Sequence, residues 1–180
     1  FQTVSAVFPP TTAASTTSIC NALYPSETGW IGWWAYLNGT LCTSFSSQIY
    51  NSEEFMSPTI VETLKYSSIF EQINEKNGAD IACSVQSFAL KDPSMKGLID
   101  EVERKLPDKK YKYAYFTEPD HYMHTLGEIN DTTKGIIADI DNQLKNFVER
   151  HKDVLILSLA DHDMKNTVPV EYHQDIFDLA

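Results

Sequence analysis

The chain has 180 residues, 42% of them apolar, and a formal net charge of −11. That length fits one domain with a sizeable core, and the apolar content excludes a disordered chain. The acidic balance leaves no basic stripe to neutralise nucleic-acid phosphates, although a small phosphate ester is not excluded, because bound cations reverse a local field.

No apolar run reaches membrane-spanning length and no signal-peptide pattern opens the chain. The first residue, Phe1, lies almost inside a β-prone segment, so the sequence reads as a piece cut from a longer polypeptide. Cys20, Cys42 and Cys83 are odd in number and share no CxxC spacing, which reads as three reduced structural thiols. They favour a reducing, cytoplasmic setting. Two glycosylation-type triplets, Asn38-Gly39-Thr40 and Asn130-Asp131-Thr132, pull the other way.

In chain order, residues 3–8 (TVSAVF) read as a short strand stopped by Pro9-Pro10. Residues 12–23 are rich in small side chains and predict a helix, with Thr11 or Thr12 near its N-cap. A loop carrying Trp30, Trp33 and Trp34 follows, whose indoles read as core or loop anchors ahead of a stacking surface. Residues 67–76 predict a helix ended by Asn77-Gly78, and 79–85 a strand. Residues 94–106 predict a helix closed by Pro107, and the aromatic run 111–117 (YKYAYFT) a strand. Over 132–150, Ile136, Ile137, Ile140, Leu144, Phe147 and Val148 fall at three- and four-residue steps, an amphipathic helix. His151 follows it and reads as a partner for its carboxyl end. Residues 154–160 (VLILSLA) read as a continuous apolar strand. The alternation predicts a single α/β domain over 1–180, a mostly parallel central sheet with helices on both faces.

In such sheets, functional groups collect beyond the carboxyl ends of the strands. Three predicted strands end in chemistry. The first runs into PPTTAAS, whose hydroxyls sit at a helix amino end that favours anions. The second runs into EPDHYMH, where Asp120 and His124, four apart, share one side of a helical turn and suit a divalent ion; His121 between them reads as solvent-facing or as a supporting donor. The third runs into DHDM, with Asp161 and His162. Together they supply a hydroxyl, two carboxylates and two imidazoles, most of a two-metal phosphoryl-transfer centre.

The segments FPPTTAASTTSICNALYPSETGWIGW, YFTEPDHYMHTLG and LILSLADHDM resemble, in the same order and at similar spacing, those of the type I phosphodiesterase/nucleotide pyrophosphatase family in the alkaline phosphatase superfamily. The resemblance implies an alkaline-phosphatase-like core, incomplete here at both ends. Aligned on Leu23-Tyr24-Pro25, it places the nucleophile at Thr12, with Thr11 its less favoured neighbour. It implies two divalent metal ions, zinc by family habit, with manganese or iron open. Asp120 and His124 match ligands of one, and Asp161 and His162 ligands of the other, shared with Thr12. The implied activity is hydrolysis of a small phosphodiester or phosphomonoester through a phosphothreonine. The alternatives are phospho-group transfer and a catalytically disabled binding homologue. Three departures stand out: Asp163 replaces the usual Gly, Asn21-Ala22 the usual Thr-Gly, and Thr28 the usual His. An upstream Asp and a downstream His of the family have no counterpart, and His173 lies too close to serve as the latter.

Overall fold

The protein is built around one parallel strand pair. The computed structural model describes residues 3–63, 66–127 and 129–165. Strand β3 (Ala82–Gln86) pairs in parallel with β4 (Tyr111–Tyr115), in a register that sets Val85 beside Ala114 and Gln86 beside Tyr115. Alternate side chains of a strand point to opposite faces. Cys83 and Val85 therefore share a face, where they meet Leu98 and Ile99 of α5 (Met95–Arg104) and Phe147 of α7 (Asp131–Arg150). Tyr111, Tyr113 and Tyr115 take the other face. There Phe70 of α4 (Ile69–Asn77) tilts against Tyr111 and Tyr113 at 6.1 and 6.3 Å, and Tyr115 reaches Thr12 of α1 (Thr12–Asn21).

Helices thus cover both faces, and the molecule is mixed α/β. The large parallel sheet expected from the sequence is not seen among the described residues: β3 and β4 form a two-stranded sheet. Residues 3–8 and 154–160, both read as strands, join no ladder. Nor is 154–160 covered on both sides. Val154 and Ile156 pack on the α5–α7 core, while Leu155 and Leu157 stay 85% and 80% exposed. That is the period of a strand with one face covered.

Local signals explain the helices. Ser68 and Glu71 form a reciprocal capping box at the start of α4, which Gly78 ends at φ 61°. Ser94 caps α5, and Asn130 caps α7 through the N–H groups of Thr132 and Thr133. On α7 the inward stripe is Ile140, Leu144 and Phe147, whereas Ile137 and Val148 face solvent. The His151 ring bonds Glu103 Oε1 of α5 at 2.9 Å, so it ties two helices together and does not cap α7 with its side chain.

The tryptophan-rich loop holds structure of its own. After the short helix α2 (Pro25–Thr28), β1 (Trp34–Leu37) and β2 (Thr40–Thr43) make an antiparallel hairpin. Asn38 and Gly39 turn it, both at positive φ (51° and 79°), the conformation that matches hairpin twist. Trp30 is buried with Cys42 and Met56 beneath it, but Trp33 and Trp34 are substantially exposed. A further helix, α3 (Ile60–Thr63), follows, and α6 (Asp120–Leu126) lies between β4 and α7. All three cysteines are unpaired. No described helix is long and apolar enough to cross a membrane.

Candidate functional site

Thr12 is the first residue of α1, and its position follows from the cap. Thr11 is extended and its hydroxyl accepts from the Ala14 N–H at 3.4 Å, so Thr11 is the N-cap and Thr12 is released from that role. The helix is fixed tightly behind it. Ala13 and Ala14 are buried to 1% and 0%, and Thr16 Oγ1 donates to the Thr12 carbonyl at 2.6 Å. Small side chains allow that close approach, which is why the segment is so rich in Ala, Ser and Thr.

The Thr12 hydroxyl lies 3.0 Å from His162 Nε2, across 150 residues of sequence. The other ring nitrogen, Nδ1, is 2.9 Å from the Asp163 carbonyl oxygen. A carbonyl only accepts, so Nδ1 carries a proton, and in the neutral ring Nε2 presents a lone pair. Thr12 therefore donates to His162. Asp161 Oδ2 is 3.8 Å from the same Nε2, and the His162 side chain is only 10% exposed.

A third group borders the arrangement: the Tyr115 phenol lies close to Thr12. Burial, and then the nearby Asp161 and Asp120 carboxylates, push the Tyr115 phenol up to about 12, while Thr12 opposes that shift. The phenol stays protonated at neutral pH. The bonds run from Thr12 to His162 and from His162 to the Asp163 carbonyl. Burial likewise raises the neighbouring Tyr113.

Asp120 opens α6, five residues beyond Tyr115 at the carboxyl end of β4. Its Oδ2 is 3.4 Å from His124 Nε2, with His124 69% exposed. The fold therefore brings Thr12, Asp161 and His162 together, with Asp120 near enough to Tyr115 to act on its phenol. His124 joins through Asp120 alone and lies on the solvent side.

Three carboxylate oxygens on these segments, Glu118 Oε2, Asp120 Oδ1 and Asp161 Oδ2, are buried without a hydrogen-bond partner. An orphaned buried anion is costly, and a cation is the usual remedy. With the His162 lone pair, these donors fit a borderline divalent ion in kind. Among the described residues, however, no three His, Cys, Asp or Glu side chains converge on one ion position. The acid–imidazole contacts come as two pairs.

The neighbouring residues sort themselves. Asp163 accepts the Met164 N–H at 2.9 Å, so its carboxylate is engaged locally. His121 stacks edge-on to Tyr122 at 5.7 Å and is exposed. His173 lies outside the described residues. Tyr115 was missed by the sequence reading, which took it as one of several β-prone aromatics. The available signal was the alternation Tyr111, Tyr113, Tyr115, which puts all three on the α1 face. The chain matches no family model and no curated protein.

Proposed function

We propose that the protein hydrolyses small phosphate esters with Thr12 as nucleophile, on an alkaline-phosphatase-like core. The observation that supports this reading is the 3.0 Å contact between Thr12 Oγ1 and the His162 lone pair. A threonine hydroxyl is a weak nucleophile unless a base or a metal removes its proton. Here an acceptor faces the hydroxyl, and a helix amino end lies behind it to favour the phosphoryl anion.

In this reading Asp161 and His162 would hold one divalent ion beside Thr12, the His162 lone pair then serving the ion and not the Thr12 proton, and Asp120 with His124 would contribute to a second, zinc by resemblance. Bound cations of this kind supply positive charge to the attacking and leaving oxygens. Thr12 Oγ1 gives up its proton to solvent and forms the new bond to phosphorus, and the ester oxygen leaves with the electron pair of the broken P–O bond and takes a proton from solvent. The protonated Tyr115 phenol, close to Thr12, would donate to Oγ1 as charge develops there. A water then attacks the phosphothreonine, the P–O bond to Thr12 breaks, and the hydroxyl is restored.

The test is Thr12→Ala assayed on an aryl phosphate ester, with metal content and far-UV circular dichroism measured alongside. Hydrolysis falls by at least a hundredfold while metal and fold are kept. Activity that survives the substitution removes Thr12 from the mechanism.

A further inference from the structure

The hairpin region has a chemistry of its own. Residues 30–52 hold all three tryptophans and no charged side chain, and no Lys, Arg or His precedes Lys65. A cavity of about 370 Å³ opens here, lined by Trp34, Thr43, Gln48, Asn51, Ser52 and Glu53. That volume falls at the lower end of small-molecule sites, about 300–1,000 Å³.

The lining is firmly built. Trp34 pairs with Thr43 across the hairpin and meets Tyr50 edge-on at 5.2 Å, yet keeps 44% of its surface exposed. Backbone bonds from Thr43 N to Gln48 O (2.8 Å), Tyr50 N to Leu41 O (2.9 Å) and Ile49 N to Glu54 O (2.9 Å) lock the following loop onto the hairpin. Gln48 Nε2 donates to the Ser52 carbonyl at 2.9 Å, which fixes that amide and leaves its oxygen as an acceptor. Asn51 is held at φ 54°.

We propose that this cavity binds a neutral pyranose sugar, with the Trp34 indole under the apolar C–H face of the ring and Gln48, Asn51 and Glu53 receiving its hydroxyls. A pyranose is flat and apolar on one face and ringed by vicinal hydroxyls, so it suits one exposed indole surrounded by planar amides and a carboxylate. Glu53 and the acidic protein disfavour uronic or sialic acids. The nearest rival ligand is a bilayer interface, which also takes up Trp and Tyr. Concavity, the hydrogen-bonding lining and the missing cations all speak against it. The proposal does not rest on the chemistry at Thr12.

Saturation-transfer NMR with the methyl glycosides of glucose, mannose, galactose and N-acetylglucosamine tests it, with methyl glucuronide as the acidic control. At least one neutral glycoside receives saturation at its ring C–H protons, the glucuronide does not, and Trp34→Ala weakens binding at least tenfold. Glu53→Gln, an exposed isosteric change that does not disturb the hairpin, weakens it severalfold, so the result survives if Trp34→Ala fails to fold. Failure of every neutral glycoside overturns the proposal. So does binding that Trp34→Ala leaves intact in a folded variant, or Trp34-dependent sedimentation with phosphatidylcholine vesicles without glycoside binding.

Discussion

Replacing Gly97 by Ala sets two effects of opposite sign against each other. Gly97 is the third residue of α5, where propensity alone favours Ala over Gly by about 1 kcal/mol. A Cβ at this position would lie 2.2 Å from the Asp92 carbonyl oxygen and 2.8 Å from Asp92 Cβ and Cγ. A tolerable C···O contact begins at about 3.3 Å, so the Asp92 backbone must retreat by about 1 Å. That retreat is not isolated. Asp92 Oδ1 accepts the Ser94 N–H at 3.1 Å, and Ser94 Oγ in turn accepts the Gly97 N–H at 3.1 Å, so moving Asp92 loosens the cap of α5. Overpacking costs about 1–3 kcal/mol and a weakened cap up to about 1 kcal/mol more. The clash wins, with a net loss of about 1–2 kcal/mol. At a urea slope of about 1–3 kcal/mol per molar, the unfolding midpoint followed by far-UV circular dichroism falls by roughly 0.3–2 M. Gly135 in α7 is the internal control: nothing lies within 4 Å of a Cβ built there, so Gly135→Ala raises the midpoint. A Gly97→Ala midpoint equal to or above wild type would refute the steric argument.

Two further predictions concern the site and its support. On the proposed mechanism the protonated Tyr115 phenol, close to Thr12, donates to Oγ1 once that oxygen is charged, and Tyr115→Phe removes that donor. A bond to a charged oxygen is worth about 1–2 kcal/mol more than the same bond to a neutral hydroxyl, so phosphorylation of Thr12 slows roughly five- to thirtyfold, read as the burst rate on an aryl phosphate with KM little changed; an unchanged burst excludes the positioning role. Glu103 is held below the usual carboxylate range, first by its bond to Arg150 and then by His151. A depressed folded-state pKa gives stability that is full above the unfolded value of about 4.3 and is lost as pH falls through the folded value. The wild-type advantage over Glu103→Gln in urea midpoint is therefore largest near neutrality and vanishes in acid, and a gap that does not change with pH counts against the Arg150–Glu103–His151 cluster as its origin.

Much of the framework was legible because its causes are local. Ser94, Ser68 with Glu71, and Gly78 mark helix ends in any context that allows a helix, since each satisfies orphaned backbone groups by itself. The hairpin was legible too and went unread: Asn38-Gly39 between β-prone residues is a strong turn signal, but it was read only as a glycosylation triplet. Asn130, the other such triplet, has its side-chain oxygen committed to the α7 cap.

What the one-dimensional pattern could not carry is anything that depends on which face a segment presents, and to what. The apolar run 154–160 gives the same string whether one of its faces is covered or both, and only packing against α5 and α7 shows Val154 and Ile156 inward with Leu155 and Leu157 bare. The chemistry-bearing residue types after three predicted strands, only one of which is a strand in the fold, could be named from sequence, because His, Asp and Thr have fixed donor and acceptor inventories. The proton position on His162, the approach of Tyr115 to Thr12 and the separation of the acids into two pairs belong to the tertiary structure. Hydrogen bonding is directional and falls off within an ångström, so contacts across 150 residues of sequence are decided only when the chain is folded.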